Sequence, residues 1–320
     1  DHPAITFLPD MIKKSSPSVR VVVHIESLGG LRRERSNFAR AASRFAASIL
    51  AGRSGLSYEY GTLLRDSDAV ITLSERDKGE LIKYHSQVAT KVLTISPPPI
   101  MPVVPKIADR QREHERSRLG LSRADDLLLG FYGYIYPGKG IETLFDAVHR
   151  LISRGLNVKV MVVGDVPETY VLQREGRPAY LNDLKMLARD LQIFERVIWS
   201  DYEPYGSDVP SKKLRLCDMC IFPFGAGIHE HNSSVWFAAA HGLPLVATRS
   251  ATTENIFVDG ENILFAKPED SADLATKVSE LWNCEDLRRK IGANIEILAN
   301  QKYSWSMCVD NVLGVFRIDR

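Results

Sequence analysis

Short apolar runs of strand length alternate with stretches of helical spacing along most of the chain, and this constrains the fold more than any other feature. A run such as Arg20-Val21-Val22-Val23-His24-Ile25 is apolar without alternation. That marks a strand buried on both faces, as in parallel sheets covered by helices. A helical stripe of Phe38, Ala41, Ala42, Phe45, Ile49 and Leu50 follows, and then two more strands, Asp68-Ala69-Val70-Ile71-Thr72-Leu73 and Val92-Leu93-Thr94-Ile95. A helix over 75–85 separates those two. Pro97-Pro98-Pro99, Pro102 and Pro105 cannot continue a strand or a helix. A polar, charged stretch over 109–118 comes next, and the domain boundary is placed here: a first domain over 1–104, a second over 105–303.

The pattern then restarts. Leu127-Leu128-Leu129-Gly130-Phe131-Tyr132-Gly133 reads as a strand, and Ile141, Leu144, Phe145, Val148, Leu151 and Ile152 as the apolar face of a helix. Strands are predicted over 158–163, 197–199, 219–222, 245–248 and 263–265, which makes a six-stranded sheet. Helices are predicted over 181–191 and 271–282. A final helix, capped by Ser304 and carrying Trp305, Val309, Val312 and Phe316, is expected over 304–320 and to pack back on the first domain. The fold class is α/β, with two doubly wound sheets whose ligand site would lie at the carboxyl ends of their strands.

Composition narrows the function classes. The 41 Lys and Arg residues are balanced by 40 Asp and Glu, so the net charge of +1 argues against a nucleic-acid partner. A hydrophobic content of 44% rules out a disordered chain. Four cysteines make no disulfide framework. Cys217 and Cys220 form a C-x-x-C with no second pair to complete a zinc site, and read as buried, reduced core thiols of a cytoplasmic protein. No apolar run approaches the roughly 18 residues of a membrane span. The chain opens on Asp1-His2-Pro3-Ala4, without an initiator Met, so an upstream portion is expected to be missing.

Two motifs carry chemistry. In Gly133-Tyr134-Ile135-Tyr136-Pro137-Gly138-Lys139-Gly140, a glycine turn between a strand and a helix would offer backbone N–H groups and the Lys139 charge to a phosphate. The G-x-x-x-x-G-K-[ST] spacing is absent, and a tight turn with a solvated lysine is the alternative reading. In the second motif a strand runs into the loop Pro223-Phe224-Gly225-Ala226-Gly227-Ile228-His229-Glu230-His231, followed by Asn232-Ser233-Ser234 on the first turn of an alanine-rich helix. Asn232 or Ser233 would be the N-cap, and the amides of that turn could hold a diphosphate. His241-Gly242 would close the helix. His229 and His231 lack the companions of a recognisable metal site, so they read as hydrogen-bonding groups for a polyhydroxylated ligand or as solvated loop residues.

At these residues the chain resembles glycosyltransferase family 4, retaining sugar-nucleotide enzymes of GT-B fold. The resemblance rests on the Gly133…Lys139-Gly140 turn and on His241-Gly242-Leu243-Pro244-Leu245-Val246-Ala247-Thr248. It continues through Glu254-Asn255-Ile256-Phe257-Val258-Asp259-Gly260-Glu261-Asn262, Pro268-Glu269-Asp270 and Tyr303-Ser304-Trp305. In the first domain, the segment from Asp66 to Glu75 is similar to a strand-to-helix segment of the family. The resemblance implies two Rossmann-like domains facing a cleft, the N-terminal one incomplete. The family's N-terminal glycine-rich loop is not found, and Leu28-Gly29-Gly30-Leu31 follows the wrong strand to be it.

The resemblance further implies that a hexosyl unit passes from a nucleoside diphosphate sugar to a hydroxyl acceptor, a glycan or lipid-linked saccharide, with retention. No cofactor and no metal are implied. Lys139 would bind the donor diphosphate together with Gly138, Asn232, Ser233 and Ser234; Tyr136 stands where an arginine is usual. Tyr136, His229, Glu230 and Glu254 would meet the donor sugar or nucleoside. The family's two glutamates fall at His229 and Phe237, so its motif is degenerate here, and Glu230 would supply the lost carboxylate. His24, with Glu26 close in register, would face the donor sugar from the first domain as a catalytic group alongside Lys139. Six arginines and one glutamate over 27–53 suggest peripheral contact of residues 32–53 with the inner face of a membrane, or else a core-facing helix with solvated arginines. The competing functional readings are a non-catalytic nucleotide- or carbohydrate-binding relative and a sugar-nucleotide epimerase.

Overall fold

The computed structural model describes residues 8–25, 63–166, 178–200, 203–204 and 206–317. The expected arginine-rich helix, Glu26 and the Leu28-Gly29-Gly30-Leu31 run lie outside the described residues. The chain divides into two compact units, Asp1–Ser96 with Ser306–Arg320, and Pro97–Trp305.

The first unit contains helix α1 (Leu8–Ser15), strand β1 (Val22–Ile25), the short helix α2 (Leu63–Asp66), β2 (Ala69–Thr72), α3 (Glu75–Tyr84) and β3 (Val92–Thr94). The strands form a parallel sheet in the order β1-β2-β3, with His24 opposite Ile71 and Ile71 opposite Leu93. The central strand β2 is fully buried, as its unbroken apolar run requires. Helix α3 starts where Ser74 turns its hydroxyl to accept from the Asp77 amide at 3.1 Å, an N-cap worth about 1 kcal/mol. One face of the sheet packs Val70 and Val92 with Leu64, Leu81 and Val88. The other packs Ala69, Ile71 and Ile95 with Val315, Val312 and Cys308 of the final helix.

The second unit runs through α4 (Asp109–Arg118), β4 (Leu127–Tyr132), α5 (Ile141–Ser153), β5 (Val158–Val163), α6 (Pro178–Asp190) and β6 (Val197–Trp199). It continues with α7 (Val209–Leu214), β7 (Met219–Phe222), α8 (Ser233–Ala239), β8 (Leu245–Thr248), β9 (Leu264–Ala266), α9 (Ser271–Asn283) and α10 (Glu285–Lys302). Helix α11 (Trp305–Arg317) closes the described chain. All six strands are parallel, in the order β6-β5-β4-β7-β8-β9. Chain direction across the sheet reverses between β4 and β7, the point where open α/β sheets leave a crevice for ligands. One contiguous core spans this unit, with Phe131, Phe222, Trp236 and Phe237 fully buried.

Two details differ from the sequence reading. The boundary falls between Ser96 and Pro97 rather than after Val104. The reason is local: the Val104 amide donates to Ser211 Oγ at 2.8 Å, the Val104 carbonyl accepts from Arg215, and the Pro99 carbonyl accepts from Trp305 Nε1 at 2.8 Å. The proline segment is thereby bonded to the second unit. The charged stretch expected at the boundary is a regular helix, α4. It lacks an apolar stripe because guanidinium groups dock it: Arg112 and Arg116 pair with Asp218 at 2.7 and 2.9 Å. Arg116 also donates to the carbonyls of Leu216 and Asp126.

Candidate functional site

Both chemistry-bearing motifs emerge at the carboxyl ends of β4 and β7, on either side of the sheet's reversal point. Backbone contacts so close that only glycine fits lock these loops together. A Cβ on Gly140, whose φ is +70°, would lie 1.8 Å from the Pro223 carbonyl oxygen. One on Gly164, at the end of β5, would lie 1.9 Å from the Gly133 carbonyl oxygen. Neither distance is survivable for a side chain, so the glycines are there for close approach. The Gly225 amide then donates to the Gly138 carbonyl at 3.0 Å, and Ile135 N–H to the Asp165 carbonyl at 2.9 Å. Ser234, on the first turn of α8, has its Cβ 3.5 Å from where a Gly133 side chain would begin. The turn after β4 and the start of α8 are therefore neighbours.

Lys139 sits inside this junction. Its Nζ is 4.0 Å from the centroid of the Phe224 ring and 5.1 Å from that of Tyr136. Burial lowers its pKa from 10.5 to about 8, because losing water disfavours the ammonium. Burial likewise raises the pKa of the Tyr136 phenol. The turn contributes less backbone than its sequence suggests: the Lys139 amide is engaged by the Tyr136 carbonyl at 3.2 Å, and the Gly140 carbonyl by Leu144 N–H. Gly138 is exposed at φ +95° with open space around it.

The loop after β7 places the remaining residues. Asn232 occupies the N-cap position of α8, but its side chain does not cap the helix. Its Oδ1 instead accepts from the His229 amide at 2.7 Å, so the first-turn amides of Ser233 and Ser234 receive no side-chain cap. His229 is buried and its Nδ1 is 3.4 Å from Glu254 Oε2. The same oxygen accepts from the Glu230 amide at 3.0 Å. His231 stacks on His229 with 5.3 Å between ring centroids. Glu230, expected to supply a carboxylate to the donor, also takes part in the packing. Its Oε1 accepts from Tyr303 Oη at 2.7 Å, and its carbonyl accepts from the Trp236 indole at 2.6 Å. Trp236 lies flat on Tyr303 at 3.5 Å.

Phe237 is core, packed on Tyr132 at 4.4 Å and edge-on to His241 at 4.8 Å. His241 also serves the scaffold. Nδ1 bonds the Phe237 carbonyl and Nε2 bonds Ser211 Oγ, each at 2.6 Å. His24 belongs to the first unit, where its side chain is exposed on β1. The structure thus assembles Tyr136, Gly138, Lys139, His229, Glu230, Asn232, Ser233, Ser234 and Glu254 on adjoining loops of the second unit. Phe224 is the contributor that sequence reasoning passed over, since an aromatic residue just beyond a strand reads as ordinary core. Among the described residues no cluster of three His, Cys, Asp or Glu side chains is arranged to hold a metal ion. Nor, among them, is any helix long and apolar enough to cross a membrane. Cys217 and Cys220 are buried against Gly130, and burial pushes the Cys217 thiol up to about 12.

Comparison with known proteins agrees with this architecture. The profile described as Glycosyl transferases group 1 matches residues 126–284. The D-inositol 3-phosphate glycosyltransferase of Stackebrandtia nassauensis is 28% identical over 264 residues, covering 79% of this chain and 55% of the relative. The alpha-monoglucosyldiacylglycerol synthase of Streptococcus pneumoniae is 26% identical over 215 residues, covering 67% of this chain and 45% of the relative. The chain therefore spans about half the length of these curated relatives. Among solved structures, Anabaena HepE in complex with UDP and glucose superposes with a TM-score of 0.70 at 16% identity, over 98% of this chain and 76% of that one. At that identity the likeness speaks for the fold alone, which is GT-B: α/β, with two Rossmann-like units built on parallel sheets. Residues 126–284, the stretch that the Glycosyl transferases group 1 profile matches, carry the six-stranded sheet and both motifs.

Proposed function

We propose that the protein is a retaining hexosyltransferase that takes a nucleoside diphosphate sugar as donor and a hydroxyl group of a glycan or lipid-linked saccharide as acceptor. The observation that carries this reading is Lys139. A lysine largely withdrawn from water has aromatic rings, and no carboxylate partner among the described residues, beside its ammonium. It stands at the sheet's reversal point, next to the first turn of α8. An anion is the ligand such a place favours. The relatives point the same way: HepE structures were determined with UDP and with UDP-glucose, and the pneumococcal relative is named for a glucosylated diacylglycerol.

In this reading Lys139 and Gly138, with Asn232 and the first-turn amides of Ser233 and Ser234, receive the diphosphate. As the anomeric C–O bond breaks, they stabilise the charge that develops on the leaving oxygen. The acceptor oxygen forms the new bond on the same face of the sugar and gives up its proton to the departing diphosphate oxygen. His229, held by Glu254, together with Glu230 and Tyr136, lies where the donor sugar and nucleoside would be gripped. His24, in the first unit, is the other residue assigned a catalytic role. The leaving-group charge is met by protein groups, with no cofactor assigned. Contact of residues 32–53 with the inner face of the membrane would bring the enzyme to a lipid-linked acceptor from the cytoplasm.

One observation favours a second reading, a non-catalytic nucleotide- or carbohydrate-binding relative. Glu230 is held by Tyr303 rather than left for a substrate, and Phe237 is core. Thermal-shift titration with UDP, GDP and ADP, then product analysis with the matching sugar nucleotides and a hydroxyl acceptor, separates the two. Transfer with retained anomeric configuration supports the enzyme. Stabilisation by a nucleotide without turnover of any donor supports the binding relative. A Lys139→Ala variant stabilised as strongly as the wild type would dismiss the proposed diphosphate site.

A further inference from the structure

We infer that Phe224 is the positioning residue for Lys139: with Tyr136 it forms an aromatic seat that holds the ammonium at the end of β7, ready for a phosphate. The seat deepens the functional reading above, since it matters to binding only if Lys139 receives the anion.

The geometry is that of a cation over ring faces. Nζ is 4.0 Å from the Phe224 centroid and 5.1 Å from that of Tyr136, both within the roughly 6 Å at which the ring quadrupole attracts an ammonium. Among the described residues no Asp or Glu forms an ion pair with Lys139. That choice of partner has a consequence. A carboxylate would fix the lysine equally well, but an incoming phosphate would have to displace it. A ring face fixes the cation while leaving its charge uncompensated. The depressed pKa of Lys139 fits an ammonium partly withdrawn from water and lacking a counter-anion.

The seat is itself immobile. Phe224 is 4% exposed and meets Phe222 edge-on at 5.6 Å. The Phe224 carbonyl accepts both the Thr248 hydroxyl and the Gly227 amide. Tyr136 is joined to Lys139 through the turn, its carbonyl accepting the Lys139 amide. A long, flexible side chain that would otherwise sample many rotamers is thereby held to a small region, and the cost of ordering it is met before the ligand arrives.

Two readouts test the seat, one of them independent of any ligand. In the nucleotide-free protein, NMR should show the Lys139 CεH2 resonance, assigned by its loss in Lys139→Arg, moved upfield by the ring currents of Phe224. That shift should vanish in Phe224→Leu and persist in Phe224→Tyr. Calorimetry with inorganic pyrophosphate should give about tenfold weaker binding for Phe224→Leu than for the wild type, the size expected for losing one desolvated cation–π contact. Phe224→Tyr should bind like the wild type. If Phe224→Leu fails to fold, Tyr136→Leu, at a half-buried position, should lose part of both effects. An unshifted Lys139 signal in the wild type overturns the seat, as does undiminished pyrophosphate binding by a folded Phe224→Leu. A shifted signal in a wild type that binds no pyrophosphate upholds the seat and overturns the diphosphate reading instead.

Discussion

The imidazole of His229 and the carboxylate of Glu254 form a buried pair, Nδ1 to Oε2 at 3.4 Å, with both side chains 11% exposed. Burial opposes ionisation of Glu254. The hydrogen bond from His229 and those from the Glu230 and Glu254 amides outweigh it, so its pKa lies below the usual carboxylate value. Glu254 is therefore charged at neutral pH and holds the His229 ring by its Nδ1. The other carboxylate oxygen, Oε1, is buried without a hydrogen-bond partner among the described residues.

Removing that carboxylate should act on both stability and donor binding. Glu254→Ala leaves the Glu230 amide unpaired and His229 unanchored, and should cost about 1–3 kcal/mol in urea unfolding. Because the folded pKa is depressed, the stabilisation by Glu254 is complete above pH 4.5 and is lost as pH falls through the lowered value. Glu254→Gln, which keeps the shape, should lower donor turnover about tenfold or more through a misplaced His229. Equal kcat/KM for Glu254→Gln and wild type would remove His229 from the sugar site.

Lys139 sets a pH dependence of the opposite sense for ligand binding. Its pKa of about 8 means that the free site loses its charge as pH rises through 8, while a bound diphosphate holds the proton on. Diphosphate affinity should therefore be highest below pH 8 and fall above it, approaching tenfold per pH unit until the pKa of the bound state is reached. Calorimetry across pH 6.5–9.5 measures this. Lys139→Arg, whose guanidinium keeps its charge throughout, should flatten the fall above pH 8. A wild-type profile as flat as that of the arginine variant would show that Lys139 does not carry the charge the ligand senses.

How legible this was in the sequence depended on the kind of force at each element. The six strands of the second sheet announce themselves because burial on both faces demands unbroken apolar runs, as in Leu127–Tyr132 and Met219–Phe222. Helix α4 was hidden because charge holds it: Arg112 and Arg116 reach Asp218, a pairing set by the fold between residues about a hundred positions apart. Helix α10 went unread beside the clearer α9, its buried residues Ile291, Gly292, Ile295 and Ala299 forming only a thin stripe. In the site, the glycine turn and Lys139 were visible as a motif. The partnerships were not: Glu230 with Tyr303, His229 with Glu254 and Phe224 with Lys139 all join separate segments or cross a turn. No spacing rule encodes them.

His241 predicts the acid limit of the second unit. Burial drives its pKa from 6.5 down to about 4, with the nearby Arg215 acting in the same direction against the bond to Phe237. The folded state therefore refuses a proton that the unfolded chain accepts. Unfolding takes up protons between pH 6.5 and 4, so stability rises with pH across that window and is fully present above 6.5. The span corresponds to roughly 3 kcal/mol at most. Chemical denaturation at pH 7.5 and 5 should show the loss, and His241→Asn should show less of it. Identical pH slopes for the two proteins would assign the acid sensitivity elsewhere.

The glycine contacts make the sharpest structural forecast. Gly140 starts α5 in the left-handed region, and a methyl group there would meet the Pro223 carbonyl oxygen at 1.8 Å. Gly155, also at positive φ, has open space around the same point. Gly155→Ala pays only the backbone penalty of about 1–2 kcal/mol. Gly140→Ala adds a collision between two backbone segments, so the β4 and β7 loops must part. It should cost about 3 kcal/mol or more and abolish pyrophosphate binding, whereas Gly155→Ala should bind normally. Because Gly140 follows Lys139 directly, the displacement carries the ammonium away from Phe224, and its upfield-shifted signal should disappear with the binding. A Gly140→Ala protein that unfolds at the same urea concentration as Gly155→Ala and still binds pyrophosphate would show that the two loops are not locked at this point.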